Sequence, residues 1–186
     1  MAQTIEQLIA GGDLTIGALD SKSRIAPVSR DGKPVLITLS SKPTLTTPFS
    51  PWPSFDGGER CSLDLRITPE LEKLAAWIDE SVVAQVTVAP QTWYSNVPEN
   101  LDSIYNSCRR TASKEGYSDT FRTKLSLREK SASCKAWDLE KGAQMTVDDL
   151  KQLDWPNTAI AAQVQLSGVY FQAATGYGPV SYTHLT

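Results

Sequence analysis

The sequence predicts a mainly β protein, a Greek-key barrel or sandwich carrying two or three helical insertions. Short runs of alternating apolar and polar residues recur along the chain, bounded by Gly, Pro, Asn and Asp. Helical signals are few, and they do not alternate with strands in the manner of a parallel sheet. No segment repeats. At 186 residues the chain is long enough for one domain with its own core and short for two, so a single domain over residues 1–186 is expected.

Taken in order, Thr4 precedes Ile5-Glu6-Gln7-Leu8-Ile9-Ala10 and Gly11-Gly12 follows, which reads as a short capped helix within residues 1–12. Residues 14–19, 24–29 and 35–40 read as short strands, and Asp31-Gly32 between the last two is a hairpin signal. Residues 43–53 hold Pro43, Pro48, Pro51 and Pro53, which fit an edge or an extended surface segment because proline gives no donor to a ladder. After the turn at Asp56-Gly57-Gly58, residues 61–67 alternate as a strand. Thr68-Pro69-Glu70 then opens a helix with a capping side chain, a proline at the first helical position and an acid in the first turn. Leu71, Leu74, Ala75, Ile78 and Val82 fall on one face of that helix, which predicts packing on a sheet.

Residues 89–118 read as an insertion, with a helix over 99–110 through Leu101, Ile104, Tyr105 and Cys108. Strands are expected over 121–127 and 133–139, joined by the charged turn at 128–131, and Thr146 caps a last short helix. In the final strand Ile160, Ala162, Val164 and Leu166 take the core side; continued without a break, that register sends Tyr170 inward and Phe171 to the wetted face.

The chemical inventory excludes more than it offers. There is no nucleophile elbow, P-loop or metalloprotease helix, and His184 is the one histidine. Cys61, Cys108 and Cys134 match no zinc spacing and read as reduced structural thiols. Asp148-Asp149 and Asp64 with Glu70 have the oxygen donors for Mg²⁺, but adjacent aspartates at a helix start are explained by capping and dipole compensation. No catalytic residue, metal or cofactor is expected, the protein reads as a non-enzyme, and a nuclease using Asp64 and Asp148 ranks last. No run approaches the roughly 18 apolar residues of a membrane span, and residues 1–12 lack a signal peptide's basic start, so an intracellular protein without membrane partners is expected.

A net charge of −3 does not suggest a uniformly basic protein, but charge acts locally once salt screens beyond roughly 10 Å. Between Cys108 and Cys134 lie Arg109, Arg110, Lys114, Arg122, Lys124, Arg128 and Lys130, against Glu115, Asp119 and Glu129. Trp93, Tyr94, Phe121, Trp137, Tyr170, Phe171 and Tyr177 are candidate rings; with Tyr170 turned inward by its register, Trp93, Tyr94, Phe121, Phe171 and Tyr177 are the candidate stacking platforms, and Arg122, Lys124, Arg128 and Lys135 the phosphate partners. Trp137 is weighted toward the core. The same rings and charges also fit a solvated hairpin, or a protein interface on a structural β-sandwich.

The order of short motifs resembles a known family. Gly32-Lys33-Pro34-Val35, Thr46-Thr47-Pro48-Phe49, Cys61-Ser62-Leu63-Asp64-Leu65, Thr120-Phe121-Arg122-Thr123-Lys124-Leu125, Ala136-Trp137-Asp138 and Val164-Gln165-Leu166-Ser167-Gly168-Val169-Tyr170-Phe171 with Gly176-Tyr177-Gly178 are similar to the single-stranded-DNA-binding proteins of nucleocytoplasmic large DNA viruses. The likeness extends distantly to phage single-stranded-DNA-binding proteins with an OB-fold core. It implies an OB-fold-like barrel and non-catalytic binding of single-stranded DNA, with RNA left open, in viral replication, recombination or repair. It also implies replication proteins as partners, in the host nucleus or a cytoplasmic viral replication site, and leaves a homodimer open. The alternative is an interaction protein of the virion or replication complex that binds no nucleic acid. The chain departs from the family after Gly178: Val180-Ser181-Tyr182-Thr183-His184-Leu185 resembles translated adapter sequence, so residues 179–186 are expected to be a non-native or truncated tail.

Overall fold

The computed structural model describes residues 2–51, 60–126, 135–172 and 176–185. Its strands are β1 (Gln3–Thr4), β2 (Thr15–Ile16), β3 (Ile25–Arg30), β4 (Lys33–Leu45), β5 (Arg60–Arg66), β6 (Arg109–Arg110), β7 (Thr120–Ser126), β8 (Trp137–Asp138), β9 (Ala143–Gln144), β10 (Ile160–Gln172) and β11 (Gly176–Leu185). The α-helices are α1 (Ile5–Ala10), α2 (Pro69–Val88) and α3 (Val147–Gln152). The chain is therefore mainly β with three helices, and no described helix is long and apolar enough to cross a membrane.

Local chemistry accounts for the helices. Thr4 caps α1 in a reciprocal box with Gln7, Thr146 caps α3 in the same way with Asp149, and the Thr68 hydroxyl accepts from the Leu71 amide at the start of α2. Asp148 and Asp149 thus serve a helix start. Along α2, Leu71, Leu74, Ala75, Ile78, Val82 and Val86 are buried, the stripe the spacing predicts.

Nine strands form one mixed sheet in the order β1-β4-β3-β10-β11-β7-β5, with β2 on β3 and β6 on β7; β8 and β9 form a separate hairpin. The long strand β10 organises it. Along one edge β10 pairs antiparallel with β11, and along the other it meets β4 up to Leu166↔Val35 and then β3 from Gly168↔Pro27. Residues 28–34 leave that line as a small hairpin whose tip, Asp31-Gly32, has φ of 50° and 69°, the left-handed pair the turn requires. Pro43 continues β4 and does not interrupt it. Among the described residues no ladder closes the sheet into a barrel; a hydrogen bond from the Arg66 amide to the Thr46 carbonyl, 2.8 Å, joins the ends of β5 and β4. The expected mainly β fold with two or three helices is thus present as an extended mixed sheet, without a closed barrel among the described residues.

Three further expectations change. Residues 99–110 hold only a 3₁₀ turn at Asp102–Ile104, after which the chain runs extended along the sheet: the Asn106 amide donates to the Tyr177 carbonyl and the Arg122 amide to the Cys108 carbonyl. Between 133 and 139 the described strand is only Trp137–Asp138, and Trp137, expected inside, is 44% exposed. Most consequential is a β-bulge at Ser167, where Leu166↔Ser181 is followed by Gly168↔Val180. It inverts the alternation, so that Val169 and Phe171 are buried while Tyr170 stands half exposed. Residues 179–185, part of the stretch whose sequence resembles translated adapter, pair with residues 162–169 as most of β11, a placement that bears on their pairing and not on their origin. The turns at 56–58 and 128–131, and Cys134, lie outside the described residues.

Candidate nucleic-acid interface

The alternation of β7 sets the two faces of the sheet at this end. Phe121, Thr123 and Leu125 point into the core with Leu63 and Leu65 of β5, whereas Arg122 and Lys124 point the other way. Five of the nine residues expected to meet nucleic acid are interior. Phe121, Phe171 and Tyr177 are almost fully buried, and Trp93 and Tyr94 are buried beside them. Trp93 stacks on Phe171 at 5.5 Å, Phe171 stacks on Tyr177 at 5.8 Å, and Tyr94 meets both of the latter edge-on. The Trp93 indole N–H donates to the Gly17 carbonyl at 3.2 Å. Burial pushes the Tyr94 and Tyr177 phenols up to about 12. These rings form a packed aromatic core, and none presents a face to a ligand. Lys135 is exposed, and Arg128 lies outside the described residues.

What the outer face does present is a groove of about 610 Å³ across β10, β11 and β7. Arg110, Arg122 and Lys124 line it, with Tyr170, Tyr182 and Asn106, and no acidic side chain stands among its described lining residues. Tyr170 is set in place by its neighbours. It pairs with Gly178, where a side chain would come within 3.1 Å of the Tyr170 ring and 2.3 Å of the Asn106 carbonyl oxygen, so glycine is what lets the ring lie there. Burial raises the Tyr170 phenol, partly offset by Arg110 and a hydrogen bond with Asn106.

One wall of the groove is the extended segment 106–110. It is tied down by Asp79 of α2, whose carboxylate accepts from the Tyr105 hydroxyl at 2.6 Å and the Ser107 hydroxyl at 2.5 Å. Burial raises the Asp79 carboxyl, and it pushes the neighbouring Cys108 thiol up to about 12, which leaves that cysteine protonated and unreactive. Behind the wall, Arg109 turns outward to Glu72 at 3.1 Å and Asp119 at 2.8 Å. Arg110 makes no ion pair among the described residues.

Arg122 is held differently. Its Nε and Nη2 donate to the two oxygens of Asp64 at 2.7 and 2.9 Å across the β5–β7 ladder, where the two residues are register partners. Asp64 is buried, and the Arg122 side chain is 41% exposed. Its hydrogen bonds to Asp64 raise the Arg122 pKa, so the guanidinium stays charged.

Of the groove's lining, the sequence names Arg122 and Lys124 as phosphate partners, Arg110 only within the basic run, and Tyr170 as a candidate ring turned inward; it does not single out Asn106, nor bring Asp64 to Arg122. The signal for Tyr170 was present in Ser167-Gly168, since a glycine inside a strand often marks a bulge. A second, more apolar slot of about 500 Å³ lies beside Trp137 and Leu139 and is lined also by Met145, Leu150 and Leu153.

No protein-family model matches the chain, and neither does any curated protein. Among solved structures it is similar to the single-stranded DNA-binding protein from bacteriophage Enc34 in complex with ssDNA, at a TM-score of 0.46 and 8% identity over 92% of this chain and 93% of that one.

Proposed function

We propose that the groove binds single-stranded DNA without catalysis, one base stacking on Tyr170 while phosphates meet the cations around it. The observation that carries this reading is the groove's lining: Arg110, Lys124 and the Asp64-paired Arg122, with a glycine-seated tyrosine ring and no acidic residue among its described lining, on a chain whose net charge is −3. A half-exposed ring accepts any base through its π face, and cations within the screening length follow the backbone. Tyr182 also lines the groove, but it belongs to the stretch that resembles adapter sequence, so the reading rests on Tyr170.

With this function goes the finer description of the fold as an OB-like open barrel, and the viral replication, recombination or repair setting that the motif resemblance implies. Whether RNA binds equally is decided by the same titration with a ribo-oligonucleotide.

The test is a fluorescence-anisotropy titration of a labelled dT oligonucleotide at low and moderate salt. Wild type should bind with an affinity that falls as salt rises, and Tyr170→Ala should weaken binding by roughly 5- to 150-fold, the loss of one stacked base. A folded protein that fails to bind at low salt would overturn the proposal. Salt-indifferent association through the Trp137 slot would favour an interaction protein instead.

A further inference from the structure

Arg122 and Arg110 line one groove, but they do not present the same chemistry. Arg110 carries an uncompensated charge among the described residues. The charge of Arg122 is matched at hydrogen-bond distance by both oxygens of a buried carboxylate. A phosphate approaching Arg122 would meet the Asp64 charge directly behind it, so the pair supplies a dipole and little net attraction.

The clamp also fixes the guanidinium. It occupies Nε–H and one N–H of Nη2, leaving three N–H donors and both planar faces of a group that can no longer swing. Such a plane can still donate to the acceptor edge of a nucleobase or stack on its face, whereas its pull on a phosphate, which depends on net charge, is largely cancelled by Asp64.

We infer that Arg122 contacts a base beside the one stacked on Tyr170, and that Asp64 positions it and cancels its charge. This rests on the groove binding single-stranded DNA.

Salt dependence separates the two roles, because each phosphate neutralised on a single strand adds about 0.7 to the slope of log affinity against log salt. The proteins compared are wild type, Arg110→Gln, Asp64→Asn, and Asp64→Asn with Arg122→Gln. The last keeps a neutral, amide-bonded pair at the β5–β7 ladder, so it does not strand a buried charge. Arg110→Gln should flatten the slope by about 0.7. Asp64→Asn, which unmasks the Arg122 charge, should steepen it by a similar amount. The double variant should keep the wild-type slope yet bind about tenfold more weakly, the loss of a base contact.

A double variant that flattens the slope as much as Arg110→Gln would make Arg122 a phosphate contact and overturn the inference. A double variant that binds like wild type would also overturn it, by taking Arg122 off the ligand. Failure of wild type itself to bind would instead overturn the groove reading, and this inference with it.

Discussion

Asp79 shows at the scale of one residue how the groove wall is held and what holding it costs. The carboxylate is half-buried, and burial raises its pKa above the ordinary 3.8 despite the opposing hydrogen bonds from Ser107 and Tyr105 and the nearby Arg109; Glu80 adds to the rise. The folded state therefore binds a proton more tightly here than the unfolded chain does. Its contribution is fully present below pH 3.8 and is lost as pH rises through the elevated value. Asp79→Asn removes this titration while keeping one acceptor for the two hydroxyls. Urea unfolding of both proteins from about pH 3 to about pH 7 should show wild type losing stability relative to the variant as pH rises. A difference that is flat or rises with pH would contradict the assignment. Burial decides the matter here: Trp93, Tyr94, Phe171 and Tyr177 have the composition of a stacking platform yet pack against one another, and Phe121 is buried in the core as well.

At the scale of the element, β10 carries the argument, because a single extra residue, Ser167, decides which ring is wet. Gly168 makes the crossing from β4 to β3 feasible: a side chain there would lie 2.5 Å from the Ala26 carbonyl oxygen and 2.5 Å from an Ile25 methyl. The oxygen belongs to backbone that is itself paired, so Gly168→Ala should destabilise by about 1–3 kcal/mol, measured as a lower urea midpoint with unchanged slope. A neutral substitution would mean that β10 and β3 separate easily and that the bulge does not fix the phase. Elements set by local chemistry were legible in the sequence. The caps at Thr4, Thr68 and Thr146 and the apolar stripe of α2 all appear as read. The segment 99–110 was not legible, because Leu101, Ile104, Tyr105 and Cys108 have helical spacing, whereas its backbone is claimed by distant partners, Tyr177 and Arg122.

At the scale of the molecule, many strands, few helices and no βαβ alternation were enough to give a mainly β fold, but not its closure. That depends on pairings between residues far apart in sequence, such as β10 with β3 and β11 with β7, which periodicity does not encode. The site follows the same division. Its cations were visible as a basic run, while the groove exists only because β11 lies between β10 and β7 and the segment 106–110 lies along their ends. The central claim is that nucleic acid occupies this outer groove and leaves the aromatic core untouched. Photo-crosslinking of a 4-thiothymidine oligonucleotide, with adducts mapped by peptide mass spectrometry, tests it most directly. Adducts are expected at Tyr170 and within residues 106–110 and 120–126. Adducts confined to Trp137, Leu139 or Phe49, with the groove peptides unmodified, would contradict it.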